Sequence, residues 1–271
     1  MHNFCGYVCE QPCNSATHTA PDAALSWFAC FFSNYAVMAS AVIPEPPWSA
    51  RLTTLLLALV LAGAAPVHAN NNDLPVVIES RTDFHDLTAD TVPATAPALH
   101  LTLVNVAHWP EADIIAALRV AVRILAQCNI RISRAEMLRI SVPEPYRDFA
   151  TPRSRTLAAA LALPKPTLYF VADTRQRPAF DAEAIGRGNS RTRPELADTV
   201  WITRDAGRRD TGIVMAHELA HVLMDSGAHV SAPGNLMAEF TAPDNTALTD
   251  DQCRQMHESG TRHGLLRSGL H

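Results

Sequence analysis

The chain has 271 residues, 48% of them hydrophobic, with 22 Lys and Arg against 27 Asp and Glu for a formal charge of −5. So even a balance argues against nucleic acid or an anionic membrane as the main partner. The length accommodates one domain with a proper core once a leader is set aside.

Four of the six cysteines (Cys5, Cys9, Cys13 and Cys30) precede Arg51 and the apolar run Leu52 to Ala62, which ends in Val67-His68-Ala69. A basic flank, a short apolar run and a small-x-small ending read as a secretory signal cut after Ala69. The run is short of the roughly 20 apolar residues that span a bilayer. Met38 serves as its start, so residues 1–37 read as an upstream segment foreign to the native product and 38–69 as the signal; a membrane anchor is the competing reading. The mature product is then expected to be secreted or periplasmic, with no membrane attachment, and monomeric.

Residues 70–98 hold Asn, Asp, Thr, Pro and Ala without a period and read as an arm or short pro-segment. Leu99 to Val106 alternates and reads as a strand. Pro110 opens a helix with Glu111 and Asp113 at its positive end, and Ile114, Ile115, Leu118, Val122 and Leu125 place one apolar face along it. It ends near Cys128. Ile130–Ile132 and Leu138–Val142 read as two short strands and 143–152 as a proline-marked loop. Thr167–Ala172, apolar throughout, reads as a central strand. Ala184–Asn189 reads as an edge strand and Thr199–Thr203 as another strand, while Trp109 and Trp201 read as core. Asp210 or Thr211 caps the next helix. Thr249-Asp250-Asp251-Gln252 is a capping box that opens a last helix carrying Cys253. His257, His263 and His271, in or beyond that helix, read as solvent-facing.

Cys128 and Cys253 are the two cysteines left after the leader. In an oxidising compartment an even pair implies one disulfide.

The helix after Asp210 carries His217-Glu218-Leu219-Ala220-His221. Histidines at i and i+4 stack on one face, Cβ atoms about 5–6 Å apart, close enough for both imidazoles to reach one zinc ion at roughly 2.0–2.1 Å. Glu218 points elsewhere and suits a general base for a water. A catalytic zinc needs a third protein ligand and an open position. Gly227 can take the left-handed conformation that ends a helix, bringing His229 back to the metal. Asp225, at i+4 from His221, is the competing ligand.

These residues resemble the metzincin zinc metallopeptidases, whose pattern is His-Glu-x-x-His-x-x-Gly-x-x-His followed by a turn with a Met beneath the metal. His217, Glu218, His221 and His229 match that pattern, Gly227 stands for its glycine and Met237 for the turn methionine. The segment His229-Val-Ser-Ala-Pro-Gly-Asn-Leu-Met237 is similar to the matrix-metallopeptidase version. Seven residues separate His221 from His229 where the family has five, and Ala238-Glu239-Phe240 lacks the Tyr some subfamilies place after the Met.

The resemblance covers roughly residues 99–260. It implies an α+β, zincin-like catalytic domain over 99–271, with a mixed twisted sheet packed on helices, an active-site helix, a Met-turn and a C-terminal helix. It further implies zinc-dependent hydrolysis of a protein or peptide, with an extended substrate paired along Ala184–Asn189. A zinc-stabilised binding module without turnover, and a zinc hydrolase of a non-peptide amide, share the same ligands.

Overall fold

The computed structural model describes residues 74–269 apart from 86, 88–90, 177–178, 189–191 and 205–209. The leader reading, with its four cysteines, lies outside the described residues.

Strands whose alternate residues are all apolar need cover on both faces, and the central strands have it. β2 (Ala98–Asn105), β4 (Thr167–Val171) and β6 (Thr199–Thr203) lie parallel. Leu101, Leu103, Leu168, Phe170, Val200 and Ile202 face one core. Val104, Tyr169, Val171 and Trp201 face the other.

The first core is closed by α1 (Glu111–Leu125), α3 (Thr211–Met224) and α4 (Asp250–Arg262). The second is closed partly by α2 (Thr151–Leu161), through Leu157 and Ala158. The sheet runs β1-β3-β2-β4-β6-β5, with β1 (Val77–His85) and β5 (Ala182–Ile185) antiparallel at the two edges. A two-residue β7 (Leu266–Arg267) adds antiparallel to the start of β2. This is a mixed sheet packed on helices, in an α+β arrangement. Among the described residues no helix is long and apolar enough to cross a membrane.

Four expectations change. Residues 77–85, read as part of an arm, form a nine-residue strand. Apart from Phe84, which packs against the first core, it is exposed on both faces, so no hydrophobic alternation marks it; backbone pairing with β3 holds it, helped by Arg81–Glu136 and Arg134–Asp83 ion pairs.

The two short strands expected around 130–142 are one continuous β3 (Arg131–Ser141). A bulge between Ile132 and Arg134 shifts the inward phase, so that Ile132 and Ala135 share a core while lying three apart. Pro152, read as a loop marker, sits in the first turn of α2, where its missing N–H costs nothing. The edge strand is Ala182–Ile185, two residues earlier than expected and shorter.

The helix ends follow their caps. The Asp210 carboxylate accepts the N–H groups of Gly212 and Ile213 at 2.9 and 3.4 Å and starts α3. Gly212 is required by close packing, since a Cβ there would lie 2.3 Å from Val120 of α1. Thr249 and Gln252 form the reciprocal capping box of α4. Cys128 and Cys253 are bonded, tying the end of α1 to α4.

Candidate metal centre

α3 is buried along almost its whole length, as its nearly all-round apolar sequence demands. It lies against β6 and β5 on one side and α1 and α4 on the other. Its two histidines are 3% and 7% exposed. A buried polar side chain needs a partner, and each imidazole has one. His217 Nδ1 lies 2.6 Å from the Leu236 carbonyl and His221 Nδ1 2.7 Å from the Ser226 carbonyl. A carbonyl only accepts, so both Nδ1 atoms carry the proton and both Nε2 atoms present a lone pair.

Those two Nε2 atoms are 3.0 Å apart, and the Nε2 of His229 is 3.2 Å from that of His221. The ligand atoms of the three histidines all lie within 4.8 Å of one another. Lone pairs set against each other without a donor repel, and a cation among them removes the repulsion. Burial holds the His217 imidazole below its ordinary pKa, against the pull of the Leu236 carbonyl. Burial, with His217 beside it, lowers His221 to about 4. Both are therefore neutral at physiological pH, the state in which imidazole binds a metal. Three ring nitrogens brought this close together, two of them on neutral imidazoles, form a set that could hold a metal ion.

The route to His229 differs from the one the sequence suggested. Asp225, and not Gly227, takes the left-handed position that ends α3, with φ 51°. Asp is one of the few residues besides Gly that visit that conformation. Gly227 has an ordinary φ, and a side chain there would meet open space.

Asp225 is also not among the clustered ligand atoms. Its Oδ1 accepts the Gly188 N–H at 3.1 Å and its Oδ2 lies 3.6 Å from His263 Nε2. It fastens the segment after β5 to the end of α3. Gly186 lies so near that an added Cβ would sit 2.8 Å from Asp225 Oδ1. His263 is thus engaged instead of facing solvent, and so is His257, whose Nε2 lies 2.6 Å from the Cys128 carbonyl.

Glu218 points away from the histidine face toward β5. The Ala184 backbone N–H donates to its carboxylate and lowers its pKa, but burial is the larger effect and, with Glu183 nearby, pushes it up to about 8. Cavities of about 270 and 340 Å³ meet at Glu218 and His229, which line both. One continues along Glu183, Ala184, Gly186 and Gly188, the other along Phe180, Val214 and Phe240. The result is a cleft running across the face of the histidine cluster, with β5 as one wall.

Met237 is buried at the end of the turn that supplies the Leu236 carbonyl. The turn is closed by Val230 N–H on the Met237 carbonyl at 2.9 Å. Sequence reasoning missed the groups that orient the imidazoles. The carbonyls of Leu236 and Ser226 leave no mark on composition. The Asn235 side chain, which accepts the Met237 N–H at 2.8 Å, offered at most a turn-forming residue type.

No family model matches the chain, and no curated protein does. Among solved structures it is similar to the crystal structure of metalloproteinase-II from Bacteroides fragilis, at 18% identity and a TM-score of 0.44. That match covers 65% of this chain and 57% of the other, so the chain spans less than two thirds of that structure's length.

Proposed function

We propose that this chain is a zinc-dependent metalloendopeptidase of metzincin-like build, secreted or periplasmic, acting on protein or peptide substrates. One observation carries the reading. Three imidazole Nε2 atoms converge at a cleft, and the two buried ones have their other nitrogen committed to a backbone carbonyl. A carbonyl bonded behind each ring in this way fixes its tautomer and orientation for a metal. His217, His221 and His229 hold the ion, and Met237 supports the turn beneath it.

When bound there, zinc would supply Lewis acidity toward a scissile carbonyl and make a water easier to deprotonate. Glu218, in its ionised form, would take the proton of the attacking water and pass it to the leaving amine; a cation held by the three imidazoles would favour that form against the burial that raises its pKa. β5 pairs with β6 alone, and its other edge, where the Ala184 N–H meets Glu218, would take an extended peptide through its remaining backbone groups. Its position at one wall of the cleft, beside Glu218, supports that reading. The disulfide is compatible with an oxidising compartment.

The test pairs zinc content with cleavage of a peptide library for the wild type and Glu218→Ala. The expected result is one zinc in each and a kcat lower by on the order of 10²–10⁴-fold in the variant. Stoichiometric zinc with no cleavage by either protein would leave a zinc-stabilised binding module as the better reading.

A further inference from the structure

The turn that orients His217 is bolted to α4 by two side-chain amides. Asn235, only 6% exposed, donates through Nδ2 to Gln252 Oε1 at 3.1 Å. Gln252 Nε2 donates back to Asn235 Oδ1 at 3.0 Å. Each carbonyl oxygen also takes one backbone donor. Asn235 Oδ1 accepts the Met237 N–H at 2.8 Å, and Gln252 Oε1 accepts the Thr249 N–H at 2.8 Å. Between Asn235 and Met237 stands Leu236, whose carbonyl bonds His217 Nδ1. Next to Gln252 stands Cys253, disulfide-bonded to the end of α1.

Capping α4 requires only the oxygen of residue 252, and a Glu there does the same work. The bond from Nε2 to Asn235 is beyond what capping needs, and only an amide can make it while its oxygen is also used. Without it, Asn235 faces an acceptor with an acceptor. Rotating the Asn235 amide instead would turn its NH₂ against the Met237 N–H, two donors face to face in a buried site.

We propose that Gln252 is a positioning residue for the metal centre: its amide, paired with Asn235, holds the Asn235–Met237 turn so that the Leu236 carbonyl fixes the tautomer and aim of His217. This rests on the metal-centre reading above. Residues that orient metal ligands from behind change metal affinity by about 10–100-fold when altered.

The variant Gln252→Glu separates the two roles, because it keeps the cap and adds a charge that suits the N-terminus of α4. Asn235→Asp breaks the same pair from the other side. Zinc dissociation constants are measured on the full mature chain by competition with a chromophoric chelator, and thermal midpoints on the metal-free proteins. The expected result is zinc binding weaker by about 10–100-fold in both variants, with a fall in the metal-free midpoint of Gln252→Glu too small to account for it.

Zinc affinity in Gln252→Glu equal to that of the wild type overturns the proposal. So does a fall in the metal-free midpoint that accounts for the lost affinity. A wild type that takes up no zinc overturns the metal-centre reading itself, a failure recognised before either variant is made.

Discussion

β1 and β5 close the same sheet at opposite edges, yet only β5 has the histidine-bearing helix against it. β1 is more than twice as long, exposed except at Phe84, and its side chains meet β3 through ion pairs such as Arg81–Glu136. β5 is four residues long, with Ala182 and Ala184 packed toward the helical core and Ile185 buried in the opposite one. The Ala184 backbone reaches Glu218, and Asp225 grips the segment that follows. The lesson is that an edge strand matters through what crosses it, and its length says little. Exposed ion pairs contribute about 0–1 kcal/mol each, so β1 can be altered cheaply. Any shift of β5 passes directly to the cleft.

Covalent bracing is equally one-sided, and removing it is the largest perturbation of that contrast. Cys128→Ser opens a disulfide spanning 125 residues, between the two helices that pack on α3. The chain-entropy model gives a loss of about 4–5 kcal/mol, measurable by chemical denaturation under non-reducing conditions. A loss below about 1 kcal/mol would mean that the helical layer holds without it.

Next in size is Ala184→Pro, which removes the N–H that meets Glu218. Displacement of a catalytic group by about 1 Å costs on the order of 10²-fold, so kcat/KM for a peptide substrate should fall by that much while zinc is retained. An unchanged kcat/KM would erase the distinction between the two edges. The smallest effect belongs to β1. Arg81→Ala should shift unfolding free energy by less than about 1 kcal/mol and leave kcat/KM alone; a marked loss of hydrolysis there would mean that β1 communicates with the cleft.

What could be read from the chain without its fold was whatever is fixed by near neighbours. The i, i+4 histidines, Asp210 and the Thr249–Gln252 box are local patterns, and all three occur where their residue types require. β4 and β6 were legible because an apolar run between polar flanks suits a doubly covered strand.

Tertiary context decided the rest. β1 shows no alternation because only Phe84 of its side chains meets the core, and β3 looks like two strands because its bulge reverses the phase. α2 buries only Ser154, Leu157 and Ala158, too little for a visible stripe. The end of α3 turned on a competition the sequence could not decide. Gly227 is the better residue for a left-handed turn, but Asp225 gains the Gly188 N–H by taking it. The three histidines were named from spacing and resemblance together. The carbonyls and the amide pair behind them came only with the fold.

The central claim is that three imidazoles, and not two imidazoles with a carboxylate, hold the metal. X-ray absorption on the protein loaded with one zinc tests it most directly, comparing the wild type with His229→Ala and Asp225→Ala. The account predicts three histidine nitrogens at roughly 2.0–2.1 Å in the wild type and in Asp225→Ala, and two or a lost metal in His229→Ala. An unchanged shell in His229→Ala, with a ligand lost in Asp225→Ala, would contradict it.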